Sequence, residues 1–114
     1  MQATSGTYLD LYTLPVPEAN LEAYRGQASA FGAITREHGA LSYRELVLDD
    51  PGDGLTPEPG IVFTAAVVEF RDRAHRDEVM AAVLADPRVA KMTPEPVADM
   101  SRMTYGGFAP LVTL

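Results

Sequence analysis

Cysteine and tryptophan are absent from these 114 residues, and histidine occurs only twice. Without cysteine there is no disulfide framework and no thiolate metal site, so burial alone must hold the chain together. The same absence fits a reducing compartment, and the expected location is the cytoplasm. His38 and His75 stand far apart with no metal-type partner at i+4, so no zinc site is expected and no cofactor is assigned. Basic charge is scarce too: 9 Lys and Arg against 16 Asp and Glu leave a net charge of −7. That balance opposes phosphate-backbone binding, so nucleic acid is not an expected partner. No apolar run is long enough to span a bilayer, and a membrane is not expected either. Residues 1–6 have neither the basic nor the apolar region of a signal peptide and are expected to form a flexible N-terminus.

What is there belongs to one globular domain over residues 1–114. Hydrophobic residues make up 46% and charged residues 22%, the composition of a chain with a single real core. Thr7–Leu14 alternates as a strand, with Leu9, Leu11 and Thr13 on one face and Tyr8, Asp10, Tyr12 and Leu14 on the other. Pro15-Val16-Pro17 is expected to end it, because proline lacks a ladder N–H. Glu18–His38 repeats apolar residues at helical spacing (Leu21, Tyr24, Ala28, Phe31, Ile34), and Gly39 suits the left-handed stop. A second strand, Ala40–Leu48, follows, then a loop dense in proline, glycine and aspartate. This loop superficially resembles a calcium site, but Pro51 and Gly60 occupy positions that need ligands.

Ile61–Phe70 is nearly continuous in apolar residues and reads as a central strand covered on both faces. Asp72 caps a second helix, Arg73–Ala85, with Val79, Met80, Val83 and Leu84 inward. Asp86-Pro87 opens a short further helix through Met92, and Thr93–Ser101 is expected to be irregular. Arg102–Val112 supplies a last strand with a bend or bulge at Gly106-Gly107. The order strand, helix, strand, strand, helix, strand predicts an α+β, ferredoxin-like βαββαβ fold with a four-stranded antiparallel sheet. Strands one and three then lie in the centre and both helices on one face. The other face is apolar as well, and a soluble monomer does not leave so large a patch bare. A homodimer packed sheet to sheet, as a dimeric α+β barrel, follows as the expected assembly.

Four ordered blocks carry a family resemblance that covers nearly the whole chain: Tyr8-Leu9-Asp10 with Leu14–Pro17 and Leu21–Tyr24; Glu37–Glu45; Arg73–Val79 with Ala85–Arg88; and Arg102–Phe108. Together they resemble the YbaA-like family, small bacterial proteins of unknown function. The resemblance implies a dimeric α+β barrel, an architecture shared with antibiotic-biosynthesis monooxygenases and haem-degrading enzymes, and it implies no established activity. The chain departs from the family pattern in a shorter 49–60 loop and in Leu11, which stands at an expected glycine.

The candidate catalytic residues are Asp10, His38, Arg44 and Glu45. Asp10, between Leu9 and Leu11 on a central strand, is either a buried general base or half of an ion pair with Arg44 or Arg102. Arg44 and Glu45 are neighbours on a strand and point to opposite faces, so one of them supplies the interior's polar group. His38, at a helix C-terminus, is either stabilised there by the helix dipole or an acid/base group. His75 is expected to pack or hydrogen-bond in the first turn after Asp72. Tyr12, Tyr43, Arg102 and Tyr105 are the candidate ligand-binding residues. Thr64-Ala65-Ala66 places small side chains mid-sheet, for close packing or for a void that a ligand fills. Tyr105–Phe108 reads as a bent strand whose tail crosses to the partner. A cavity of this kind suits a small aromatic or acidic molecule. Two functions remain open: a cofactor-independent enzyme of oxygenase or isomerase type, and a non-catalytic binding or interaction dimer. A haem-handling protein ranks behind both, for want of axial ligands.

Overall fold

The computed structural model describes residues 7–92 and 97–114. The expected flexible N-terminus, 1–6, and part of the expected irregular stretch, 93–96, lie outside the described residues. Strand β1 (Tyr8–Pro17) leads through a 3-10 turn into helix α1 (Leu21–Glu37). Strands β2 (Ser42–Val47) and β3 (Ile61–Phe70) follow, then α2 (Arg73–Leu84), the short α3 (Pro87–Ala90), a second 3-10 turn and β4 (Thr104–Phe108). The sheet is antiparallel in the order β2-β3-β1-β4. This is the ferredoxin-like α+β fold, with strands one and three in the centre.

Among the boundaries that differ from expectation, two have a clear physical reason. Prolines 15 and 17 do not end β1, which continues to Pro17 opposite Ile61. The reason lies in its neighbour: β4 pairs with β1 only from Leu9 to Thr13, so beyond that point one side of β1 is an edge. Proline on an edge forfeits no ladder hydrogen bond. At the other end, β4 is shorter than Arg102–Val112, and its register against β1 runs without a break from Thr104 to Phe108. No bulge forms at Gly106-Gly107. Gly107 instead makes room for the Tyr8 ring, which a Cβ there would meet at 2.8 Å.

Strand alternation distributes the side chains. Tyr8, Asp10, Leu14 and Val16 of β1 and Thr64, Ala66, Val68 and Phe70 of β3 are buried beneath the helices. Val79 and Val83 of α2 close over Val68 and Phe70 to form the main cluster, and Leu14, Val16 and Ala98 form a second. Burying side chains of this size contributes roughly 1.5–3 kcal/mol each. The opposite sheet face carries Leu9, Leu11, Phe63, Ala65 and Val67, all partly accessible, with Leu46 and Phe108 about half exposed. Strand β3 is therefore fully buried on one face only. The molecule is a slab 19 Å thin in its shortest dimension, one layer of helices on one sheet. Its radius of gyration, 15.3 Å, exceeds the roughly 13 Å of a compact chain of this length. No helix among the described residues is long and apolar enough to cross a membrane.

The end of α1 is tied to the start of α3. Gly39, with φ +119°, turns the chain out of the helix. His38 Nε2 and Asp86 Oδ2 lie 2.9 Å apart, and Asp86 also accepts from the Arg88 backbone and guanidinium. Arg88 reaches on to Glu37 at 2.8 Å. Hydrogen bonds from Arg88, then from His38, hold the Asp86 carboxyl far below its ordinary value. A depressed carboxyl contributes stability that is present above its unfolded value, near 4, and is lost as pH falls through the folded value. Asp86→Ala should therefore unfold at lower urea than the parent at pH 7, and the gap should narrow stepwise between pH 4 and pH 2. A gap that stays constant over that range would show that Asp86 is not the group being titrated.

Candidate functional site

On β2, Tyr43 and Glu45 turn towards the helices, opposite Val68 and Ala66 of β3. Arg44, opposite Val67, turns to the open face of the sheet. The question of which charge faces inward is answered locally: Glu45 lies beneath α1 and Arg44 does not. The carboxylate is held by two phenols. Tyr24, one turn into α1, donates to Oε1 at 2.9 Å, and Tyr43 donates to Oε2 at 2.6 Å. Burial first, and the neighbouring Glu45 charge second, push the Tyr24 phenol up to about 12. Burial and the Glu45 hydrogen bond drive Tyr43 higher still. Both phenols are thus protonated donors at neutral pH. Gly32 of α1 permits this arrangement, because a Cβ there would meet the Tyr43 ring at 2.5 Å. Phe31 packs edge-on against the same ring, 6.2 Å between centroids.

Between sheet and helices lies a cleft of about 730 Å³, walled by Tyr12, Phe31, Tyr43, Met80 and Tyr105 and floored by Thr64 and Ala66. The small side chains at 64 and 66 leave a void as well as allowing close packing. Glu45 is the one charged side chain among the described residues that line this cleft. A second recess of about 480 Å³ opens between α1 and β2. Both spaces share Tyr24, Tyr43 and Glu45, so this hydrogen-bonded cluster is the partition between them.

Asp10 is fully buried and pairs with Arg76 of α2, Nη1 to Oδ1 at 2.6 Å. The expected partners, Arg44 and Arg102, are thereby replaced: Arg44 is on the other face, and Arg102 pairs with Glu58 at 2.7 Å on the surface. Burial pushes the Asp10 carboxyl above its ordinary value, against the opposing pull of the Arg76 charge. The Tyr105 hydroxyl joins them, 2.8 Å from Arg76 and 3.4 Å from Asp10. Its ring lies 4.7 Å from that of Tyr12, opposite it across β1 and β4. Arg76 further sits over the Tyr8 ring, 5.2 Å from its centroid. The chemistry of this end is that of a satisfied, sealed pair rather than of a base open to a ligand.

Of the candidate residues, the structure brings Tyr12, Tyr43, Glu45 and Tyr105 to one cleft and Asp10 to its closed end. His38, Arg44 and Arg102 lie elsewhere, in the α1–α3 tie, on the open sheet face and on the surface. His75 behaves as expected: its backbone N–H donates to the Asp72 cap and its Nδ1 accepts from Arg71. Among the described residues no group of three or more His, Asp or Glu could hold a metal ion. Sequence reasoning missed Tyr24, Gly32 and Arg76. Arg76 carried a signal, since it falls on the same helical stripe as Val79, Met80 and Val83. A cation on the apolar stripe of a helix needs a buried counter-charge, and Asp10 was the available one.

Comparison with known proteins adds the following. Residues 7–100 match the profile of a family described as protein of unknown function, DUF1428. The uncharacterised protein YbaA of Escherichia coli is 26% identical over 113 residues, covering 92% of this chain and 97% of YbaA. YbaA of Shigella flexneri gives the same values. Among solved structures, a dimeric ferredoxin-like protein from an uncultured marine organism superposes with a TM-score of 0.66 at 11% identity, covering 96% of this chain and 100% of that one. The designed protein Foldit4 reaches 0.50 at 9% identity, over 92% and 99% of the two chains. The structural likenesses carry the fold alone.

Two expectations follow from the geometry. Gly32→Ala must displace the Tyr43 ring and should cost about 1–3 kcal/mol in urea unfolding. Gly26→Ala, on the same helix with nothing within 4 Å, should instead stabilise by up to about 1 kcal/mol. Equal effects from both would contradict the packing described. Arg76→Ala leaves Asp10 buried without its counter-charge and should destabilise by about 3–5 kcal/mol. Asp10→Asn combined with Arg76→Met should lose less than the Arg76→Ala variant alone, and losses that simply add would argue against a coupled pair.

Proposed function

The chain belongs to the DUF1428 family of proteins of unknown function, and from that premise we propose that it binds a small organic molecule in the cleft between its sheet and helices, as one subunit of a homodimer. The observation that carries this reading is the cleft itself. Its volume, about 730 Å³, falls in the range of small-molecule sites, and its walls are apolar and aromatic around one convergent polar group. That group is the Glu45 carboxylate with its two phenol donors.

The dimer is supported by the uncovered sheet face. Leu9, Leu11, Phe63, Ala65 and Val67 form a contiguous apolar surface that a second copy would bury by symmetry. The similar marine protein is described as dimeric, in keeping with this. The exposed C-terminal residues, with Leu111 95% accessible, support a tail that reaches the partner. The absence of cysteine supports a cytoplasmic setting.

A catalytic extension is favoured by one observation: Glu45 borders open space on both sides. A ligand with an acidic C–H or O–H seated in the cleft meets a proton acceptor there, as cofactor-independent isomerase-type chemistry requires. Asp10, enclosed with Arg76, is not placed for that task.

Light scattering of the parent protein at micromolar concentration should give twice the chain mass. Val67→Glu, on the open face, should give a single-chain mass, and native mass spectrometry should find the same bound small molecules on parent and variant. A single-chain mass for the parent would remove the dimer. Ligand loss in a folded Ala66→Phe variant, which fills the cleft floor, is the expected result for the binding site. Undiminished ligand binding in that variant would remove the cleft from consideration.

A further inference from the structure

We infer that the molecule taken up by the cleft is an organic cation, an ammonium group carried on an apolar body, with Glu45 as its counter-charge. The inference rests on the cleft being a binding site and specifies what it binds. Its first support is the charge inventory. No Lys, Arg or His is among the described residues that line the cleft, and Glu45 is the only acid among them. The stretches outside the described residues, 1–6 and 93–96, contain no Lys, Arg or His in their sequence.

The second support is that several cations on the neighbouring elements are held elsewhere, while Lys91, beside the lining residue Met92, is exposed. Arg76 is bound to Asp10 and Asp77, and Arg88 to Asp86 and Glu37. In the outer recess Arg25 pairs with Glu22, and Arg36 donates to the Leu41 carbonyl; neither has an ion pair with Glu45. Arg44 is on the far side of the sheet. Glu45 is hydrogen-bonded, by Tyr24 and Tyr43, but both donors are neutral phenols. They occupy one acceptor site on each oxygen and carry no charge to offset that of the carboxylate. A carboxylate beside a low-dielectric space attracts a cation strongly and repels an anion to the same degree.

The third support is the walls. Tyr12, Tyr24, Phe31, Tyr43 and Tyr105 present five aromatic rings to the cleft, and Met80 and Met103 add polarisable thioethers. Aromatic faces bind desolvated cations through their quadrupole, most strongly when several rings surround one charge. Together with a fixed carboxylate they form a receptor for an ammonium group. Of the two ligand types expected, aromatic or acidic, an acidic one would meet no cation among the described residues that line the cleft.

The test uses three probes of nearly one shape: phenyltrimethylammonium, tert-butylbenzene and benzenesulfonate. Binding to the full-length protein is measured by calorimetry or by ligand-observed NMR. The ammonium should bind about tenfold or more tightly than the neutral isostere, and the sulfonate more weakly than either. Glu45→Gln should reduce the preference for the ammonium over tert-butylbenzene by about tenfold. Equal binding of ammonium and neutral isostere, or tighter binding of the sulfonate, overturns the cation assignment while the binding site stands. No binding of any probe overturns both. The comparison within the parent protein decides the matter even if the Glu45 variant does not fold.

Discussion

A carboxylate on an edge strand, turned under a helix and bound by two phenols, is the constraint on which the rest depends. Glu45 is carried inward by strand alternation, because its neighbours Arg44 and Leu46 belong to the other face. Once there it needs donors, and Tyr43, two residues earlier on the same face, and Tyr24, above it on α1, supply them. That requirement sets how closely α1 approaches β2, and Gly32 is the residue that lets it approach so near. A larger residue at 32 would move the ring, the ring would move the hydrogen bond, and the charge would lose a partner.

The opposite end of the cleft is fixed by a second polar device of a different kind. Asp10 and Arg76 neutralise each other out of water, with Tyr105 and the ring of Tyr8 completing their enclosure. Gly107, having no Cβ, leaves β4 room for that ring beside it. The cleft therefore lies between a charge pair that is closed and a single charge that is open. Its floor is deep because Thr64 and Ala66 are small, and its sides are aromatic because the inward positions of all the strands except β3 carry tyrosine.

Much of this was legible in the residues, and the exceptions have physical reasons. Strand β3, the Gly39 stop and the Asp72 and Asp86 caps follow from local chemistry alone: an apolar run, a left-handed φ and side-chain acceptors for free N–H groups. The continuation of β1 through Pro15 and Pro17 does not, because it depends on how far a strand distant in sequence extends alongside it. Arg44 and Glu45 were equivalent in the sequence, since alternation says they oppose each other and not which one faces in. The choice is made by register against β3 and by the helix side of the sheet. Tyr24 read as one more apolar position of a helix, and only its height above β2 gives it a hydrogen bond to Glu45.

The central claim is that Glu45 accepts hydrogen bonds from two protonated phenols at the edge of the cleft. Carbon NMR of protein labelled at the tyrosine Cζ atoms tests it most directly, because that carbon reports whether its own oxygen carries a proton. Through pH 10, where an ordinary phenol is half ionised, the Tyr24 and Tyr43 signals should stay at the protonated position. Movement of both signals with the midpoint of an ordinary phenol would contradict the account.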